Sequence, residues 1–175
     1  DTPLIFKNIA GNTTNYKNTA PREAEEIIEF IKDNPDKSIG VITPFTNQKE
    51  LIHAMLQENG MKDVPCGTVH AFQGDEKDVV LFSLALTEQT GQGTYDWLKN
   101  NKELINVATS RAKEQLVILS DAKELDRLHT ENSDDIYELV KYVQTNGEAQ
   151  VTARETSSRA LGIKPYSTQT CLLYT

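Results

Sequence analysis

An α/β fold, with a mainly parallel sheet covered by helices on both faces, is predicted by two features of the sequence. Short apolar runs rich in Val, Ile and Leu alternate with segments whose apolar residues recur at helical spacing. The runs themselves show little in–out alternation, which is the pattern of strands buried on both sides. Size agrees: 175 residues, 38% hydrophobic and 25% charged, suffice for one packed domain.

The elements follow in order. Residues 4–9 (Leu-Ile-Phe-Lys-Asn-Ile) read as a strand, and residues 10–19, rich in Gly, Asn and Thr, as a loop. Ala24, Ile27, Ile28 and Ile31 stand at i, i+3, i+4 and i+7, which predicts a helix over 22–33 ending at Asn34-Pro35. Thr19 is its expected cap, with Pro21 in the first turn. Residues 39–43 form a buried-type strand closed by Pro44. A helix from Asn47 to Asn59 follows, with Thr46 as cap and Gly60 as stop. Residues 64–69 and 78–86 are strands, and a Gly-rich loop at 90–94 leads to a helix over 101–112. Residues 115–119 are a further apolar strand. Asp121 and Glu124 form a capping-box pattern before a short helix. Ile136, Leu139, Val140 and Val143 mark the last helix. Residues 147–175, rich in Ser, Thr, Arg and Gly without periodicity, are expected to be a linker or the opening of a further domain, which puts the main domain at 1–146.

Charge narrows the function. With 18 Lys and Arg against 26 Asp and Glu, the net charge is −8. Such a chain does not hold phosphates by a broad basic footprint. It can still hold them with hydroxyl and backbone N–H groups in one cleft. Two cysteines are too few for a disulfide framework and fit a reducing, cytoplasmic setting; Cys66 reads as a small core residue. Three scattered histidines and two distant cysteines predict no metal cluster. No apolar run reaches the roughly 20 residues that span a bilayer, so no membrane partner is expected, and residues 1–20 show no secretory leader pattern.

Three segments concentrate chemistry. In Gly67-Thr68-Val69-His70-Ala71-Phe72-Gln73-Gly74-Asp75-Glu76-Lys77-Asp78, hydroxyl, imidazole, amide and carboxylate groups crowd between two strands. Gly74 lets backbone approach a ligand, and Glu76 can accept from a ribose. In Ile105-Asn106-Val107-Ala108-Thr109-Ser110-Arg111-Ala112-Lys113, Arg111 ends an apolar, small-residue helix and needs an anionic partner. Val41-Ile42-Thr43-Pro44-Phe45-Thr46-Asn47-Gln48-Lys49 is a strand running into a helix start, a place that favours phosphate. Taken singly, each also fits an ordinary role: a charged turn, an internal salt bridge, a capped helix. Asp75, Glu76, Asp78 and His70 could alternatively form a metal or acid–base site. Ligands of parallel sheets gather at the carboxyl ends of strands. That directs attention to the chain after Thr43, after Val69 and around the helix before Gln115.

Together, in this order and spacing, the three segments resemble motifs IV, V and VI of superfamily 1 helicases, and are most similar to the Upf-like branch. The region from about 36 to 120 is similar to the second RecA-like domain of those enzymes. The resemblance implies a three-layer RecA-like, P-loop-NTPase-like fold and a role as the C-terminal motor domain of an ATP-dependent DNA or RNA helicase. It makes Arg111 the arginine finger that reaches the γ-phosphate of ATP. It places Gln73, Gly74, Glu76 and Lys49 near the nucleotide, and Thr43, Pro44, Thr68 and His70 on the single strand. Lys49 stands where Upf-type chains often carry Arg, and Thr109-Ser110-Arg111 replaces the usual Leu-Thr-Arg. The sequence has no G-x-x-x-x-G-K-[ST] loop and no strand-borne Asp-Glu pair for Mg²⁺. The expected partner is therefore the first RecA-like domain of the same protein, and this chain, expected to be a monomer, is expected to be inactive alone. A helicase-derived domain without motor function, binding nucleic acid or protein, is the alternative.

Overall fold

The computed structural model describes residues 3–12, 17–68 and 75–146, and the backbone of 148–151. Strands β1 (Leu4–Asn8), β2 (Ile39–Ile42), β3 (Cys66–Gly67), β4 (Lys77–Ser83), β5 (Ala112–Ser120) and β6 (Glu148–Val151) form one sheet in the order β3-β2-β4-β5-β1-β6. Every pairing is parallel. The helices are α1 (Pro21–Asp33), α2 (Thr46–Glu58), α3 (Gln92–Leu98), α4 (Lys102–Arg111), α5 (Ala122–Leu128) and α6 (Asp135–Asn146).

Residue parity splits the core in two, because successive strand side chains point to opposite faces. Ile5, Val79, Leu81, Val117 and Leu119 pack with Ala24, Ile27 and Ile28 of α1 and Ile52 and Leu56 of α2. Phe6, Val80, Phe82, Leu116 and Ile118 pack with apolar residues of α3, α4, α5 and α6. Both faces are covered, as the non-alternating strands require.

Several ends differ from the sequence reading, each for a local reason. Thr19 does not occupy the cap of α1. Ala20 holds that position, and the Arg22 N–H is taken instead by Asn12 Oδ1 at 2.9 Å. Thr46 is the first residue of α2 rather than its cap, which is Phe45. Gly60 does end α2, at φ +71°. There the Met61 N–H reaches the Leu56 carbonyl at 2.7 Å and the Gly60 N–H that of Gln57 at 3.1 Å, the paired bonds of a Schellman motif. The strand expected over 64–69 shortens to two paired residues, since it lies at the sheet edge with one neighbour. The expected 78–86 strand leaves the sheet after Ser83, and Leu84, Ala85 and Leu86 are buried as a non-strand segment. The Gly-rich loop at 90–94 contains the start of α3, which buries Tyr95 and Leu98. Asp121 caps α5 by accepting from Lys123 and Glu124 N–H, but Glu124 turns to Arg127 at 2.6 Å, so only half of the capping box forms. Finally, β6 pairs with β1 and carries the sheet past residue 146.

Candidate functional site

The parallel sheet has two chemically distinct ends. At the carboxyl end, Thr43 follows β2 and Thr68 follows β3, and the Thr43 N–H donates to the Gly67 carbonyl at 3.1 Å. At the amino end, Lys77 of β4 is in register with Ala112 of β5. Glu76 and Arg111 thus each stand one residue ahead of a paired strand, at the same end of the sheet. The seven residues of β4 separate the two ends by on the order of 20 Å.

This corrects the expectation that the helix before Gln115 shares the carboxyl end with Thr43. Helix α4 runs the other way. It starts near the carboxyl end, capped by the Asn101 side chain on the Leu104 N–H at 3.0 Å, and delivers Arg111 directly into the start of β5. A strand–helix–strand unit must return the chain to the amino edge before the next parallel strand begins.

Arg111 is half-buried, and its Nε is buried with no hydrogen-bond partner. Among the described residues no carboxylate pairs with it. A guanidinium left unpaired beside apolar surface is costly unless an anion from outside completes it. Glu76, at the same end of the sheet, is exposed. The other acids nearby are engaged: Asp75 pairs with Lys77 at 3.1 Å, and Asp78 accepts from the Ser38 N–H at 3.0 Å. That backbone donor holds the Asp78 carboxyl below its ordinary range. Asp78 so tied does not converge with Asp75 and Glu76 on one point, and no acid or imidazole group suited to a metal occurs among the described residues. Gln73, Gly74 and His70 lie outside the described residues.

A groove of 420 Å³ runs along the β3 edge, from Lys62, Asp63 and Pro65 ahead of the strand to Thr68 just beyond it, with Lys49 and His53 of α2 along its side. Lys49, expected near the nucleotide, lines this groove together with Thr68. The first turn of α2 follows the exit of β2, and that exit is at the far end from Arg111. Thr68 is half-exposed in the groove, whereas Thr43 and Pro44 are buried. The Thr43 hydroxyl is wholly buried with no hydrogen-bond partner, so it lies beneath this surface and not on it. Thr43→Val is expected to raise stability by about 1 kcal/mol, because it removes an unsatisfied buried group; a lower denaturation midpoint would show that the hydroxyl has a structural partner. Cys66 also lines the groove, its Sγ 3.8 Å from the Lys49 carbonyl, and burial pushes its thiol up to about 12, which favours the protonated form.

A family model, AAA_12, described as an AAA domain, matches residues 4–123. The chain belongs to that family, the C-terminal RecA-like domain of Upf1-like superfamily 1 helicases. It is 31% identical over 141 residues to the ATP-dependent helicase upf1 of Schizosaccharomyces pombe, covering 71% of this chain and 15% of that protein. It is 36% identical over 141 residues to the regulator of nonsense transcripts 1 homolog of Neurospora crassa, covering 71% and 12%. It is 38% identical over 97 residues to the DNA polymerase alpha-associated DNA helicase A of Saccharomyces cerevisiae, covering 53% and 13%. The chain thus spans less than a sixth of the length of each of these relatives.

One constellation in this RecA-like domain escaped the sequence reading. Gln48 is fully buried; its Oε1 accepts from the Ala20 N–H at 2.7 Å and its Nε2 donates to Ser83 Oγ at 3.1 Å. Ser83 Oγ in turn donates to Glu23 Oε1 at 2.7 Å, which also accepts from the Ala85 N–H at 2.9 Å. The network ties the starts of α1 and α2 to the exit of β4. It also holds Ala85 at φ +55°, a left-handed conformation that costs a non-glycine residue about 1–2 kcal/mol. A signal was present: Glu23 lies four residues before Ile27, and Gln48 lies four before Ile52 and eight before Leu56, so each polar residue sits on its helix's apolar stripe.

Proposed function

We propose that this chain is the C-terminal motor half of an ATP-dependent DNA or RNA helicase. Its amino edge faces the triphosphate and its carboxyl edge faces the single strand. The observation that carries the reading is Arg111: a half-buried guanidinium with its Nε unpaired, at the same sheet end as Glu76 and remote from the strand exits that carry Thr43 and Thr68. In this reading ATP lies between this domain and the first RecA-like domain, which supplies the phosphate loop and the Mg²⁺ ligands. Arg111 neutralises charge that develops on the γ-phosphoryl group, and Glu76 accepts from the nucleotide's sugar. Thr68 and Lys49 contact the strand's sugar–phosphate backbone, which carries no sequence information and so suits a motor. Thr43 and Pro44 form the floor below them. Closure of the two domains around ATP then tightens the strand contacts, and hydrolysis loosens them.

The test is a division of labour. The purified 175-residue chain is expected to hydrolyse no ATP with or without single strands, whereas the full-length protein shows strand-stimulated turnover. Steady-state hydrolysis by the isolated chain, or none by the full-length protein, would refute the reading.

A further inference from the structure

We propose that Trp97 is a stacking platform for one base of the single strand, an inference that rests on the strand-binding reading above. Trp97 is the only tryptophan of the chain and is 59% exposed, an unusual place for so large an apolar ring. It does not stand alone. Its ring lies 6.1 Å from that of Phe45, tilted by 39°, and Phe45 is two residues beyond Thr43 at the exit of β2. Helix α3 is anchored by buried Tyr95 and Leu98 on either side of Trp97, so the exposed ring is presented from a packed element. Helix α4 begins just after α3 and runs from this end of the sheet towards Arg111, so Trp97, against Phe45, lies at the end where Thr43 and Thr68 leave their strands.

Charge explains why a ring is needed. A domain of net charge −8 gains little from counterion release. Base stacking does not depend on net charge and accepts any base, since every base presents a π-face. The competing occupant of Trp97 is the surface of the partner RecA-like domain, and the experiment separates the two.

Because Trp97 is the sole tryptophan, its emission reports this site alone. Titration of the 175-residue chain with fluorescein-labelled oligothymidylate is followed by anisotropy, and with unlabelled oligothymidylate by tryptophan emission. The expected result is quenching of Trp97 that saturates in step with the anisotropy. Trp97→Ala is expected to weaken binding about ten-fold, the size of one lost base stack, and Trp97→Phe by less than about three-fold, since a smaller ring still stacks. An anisotropy rise with unchanged emission, or Trp97→Ala binding as tightly as wild type, overturns the stacking role and leaves the strand-binding reading standing. No anisotropy change at all overturns both.

Discussion

Arg111→Ala in the full-length protein is expected to lower the rate of ATP hydrolysis by roughly 10³- to 10⁵-fold, with ATP binding largely retained. In the proposed role the guanidinium fork acts on charge that appears only as the phosphoryl group transfers, so its loss is expected to raise the barrier far more than it weakens the ground state. Arg111→Lys is expected to recover little, because an ammonium supplies a point charge and no planar fork. The fold should tolerate both changes within about 1 kcal/mol, since Arg111 has no ion-pair or hydrogen-bond partner among the described residues. Single-turnover hydrolysis, nucleotide titration and thermal melting separate these effects. Wild-type turnover in the alanine variant would remove Arg111 from the mechanism. A large drop in melting temperature would mean that the side chain is a structural strut.

The second large effect concerns pH. Glu23 is fully buried, and burial raises its carboxyl from 4.5 to about 8, against the lowering influence of the Ser83 and Ala85 hydrogen bonds. Between those two values the folded chain holds a proton that the unfolded chain has released. Stability therefore falls as pH rises through that window, by up to about 1.4 kcal/mol per pH unit. Below the window the group is protonated in both states, and above it ionised in both, so the slope vanishes on either side. Glu23→Gln keeps an acceptor for Ser83 and Ala85 without an ionisable group. It is expected to flatten this part of the profile and to be more stable than wild type at the alkaline end. Glu23→Ala leaves the Ala85 N–H and the Ser83 hydroxyl without their acceptor and opens a void, at a cost of about 2–4 kcal/mol. Denaturant midpoints of the three proteins across this range decide it. Parallel curves for wild type and Glu23→Gln would show that Glu23 does not hold the extra proton.

Much of this was legible in the residues. The stripe of Ala24, Ile27 and Ile28 in α1, the apolar runs of β4 and β5, and the Gly60 stop are local patterns, and local patterns survive any tertiary context that buries them. Strand ends were less legible. Leu84, Ala85 and Leu86 are as apolar as a strand and as buried, yet after the Leu84 N–H donates to the Leu119 carbonyl at 3.0 Å the pairing stops, and Glu23 captures the Ala85 N–H. The loop expected at 90–94 hides α3 because the buried Tyr95 and Leu98 outweigh two weak helix formers, Gly91 and Gly93, at its start.

Most elements and their order, the three motif segments and the family are written in the residues alone, since these depend on spacings of a few positions along the chain. Which of those motifs meet is set by three-dimensional packing. Parallel register brings Arg111 and Glu76 to one end of the sheet, and Lys49 and Thr68 line one groove; folding also buries Thr43 and draws Glu23, Gln48 and Ser83 into one network. Such neighbours lie tens of residues apart in the chain. Their contact comes from sheet pairing and shared burial, which no short window of sequence contains.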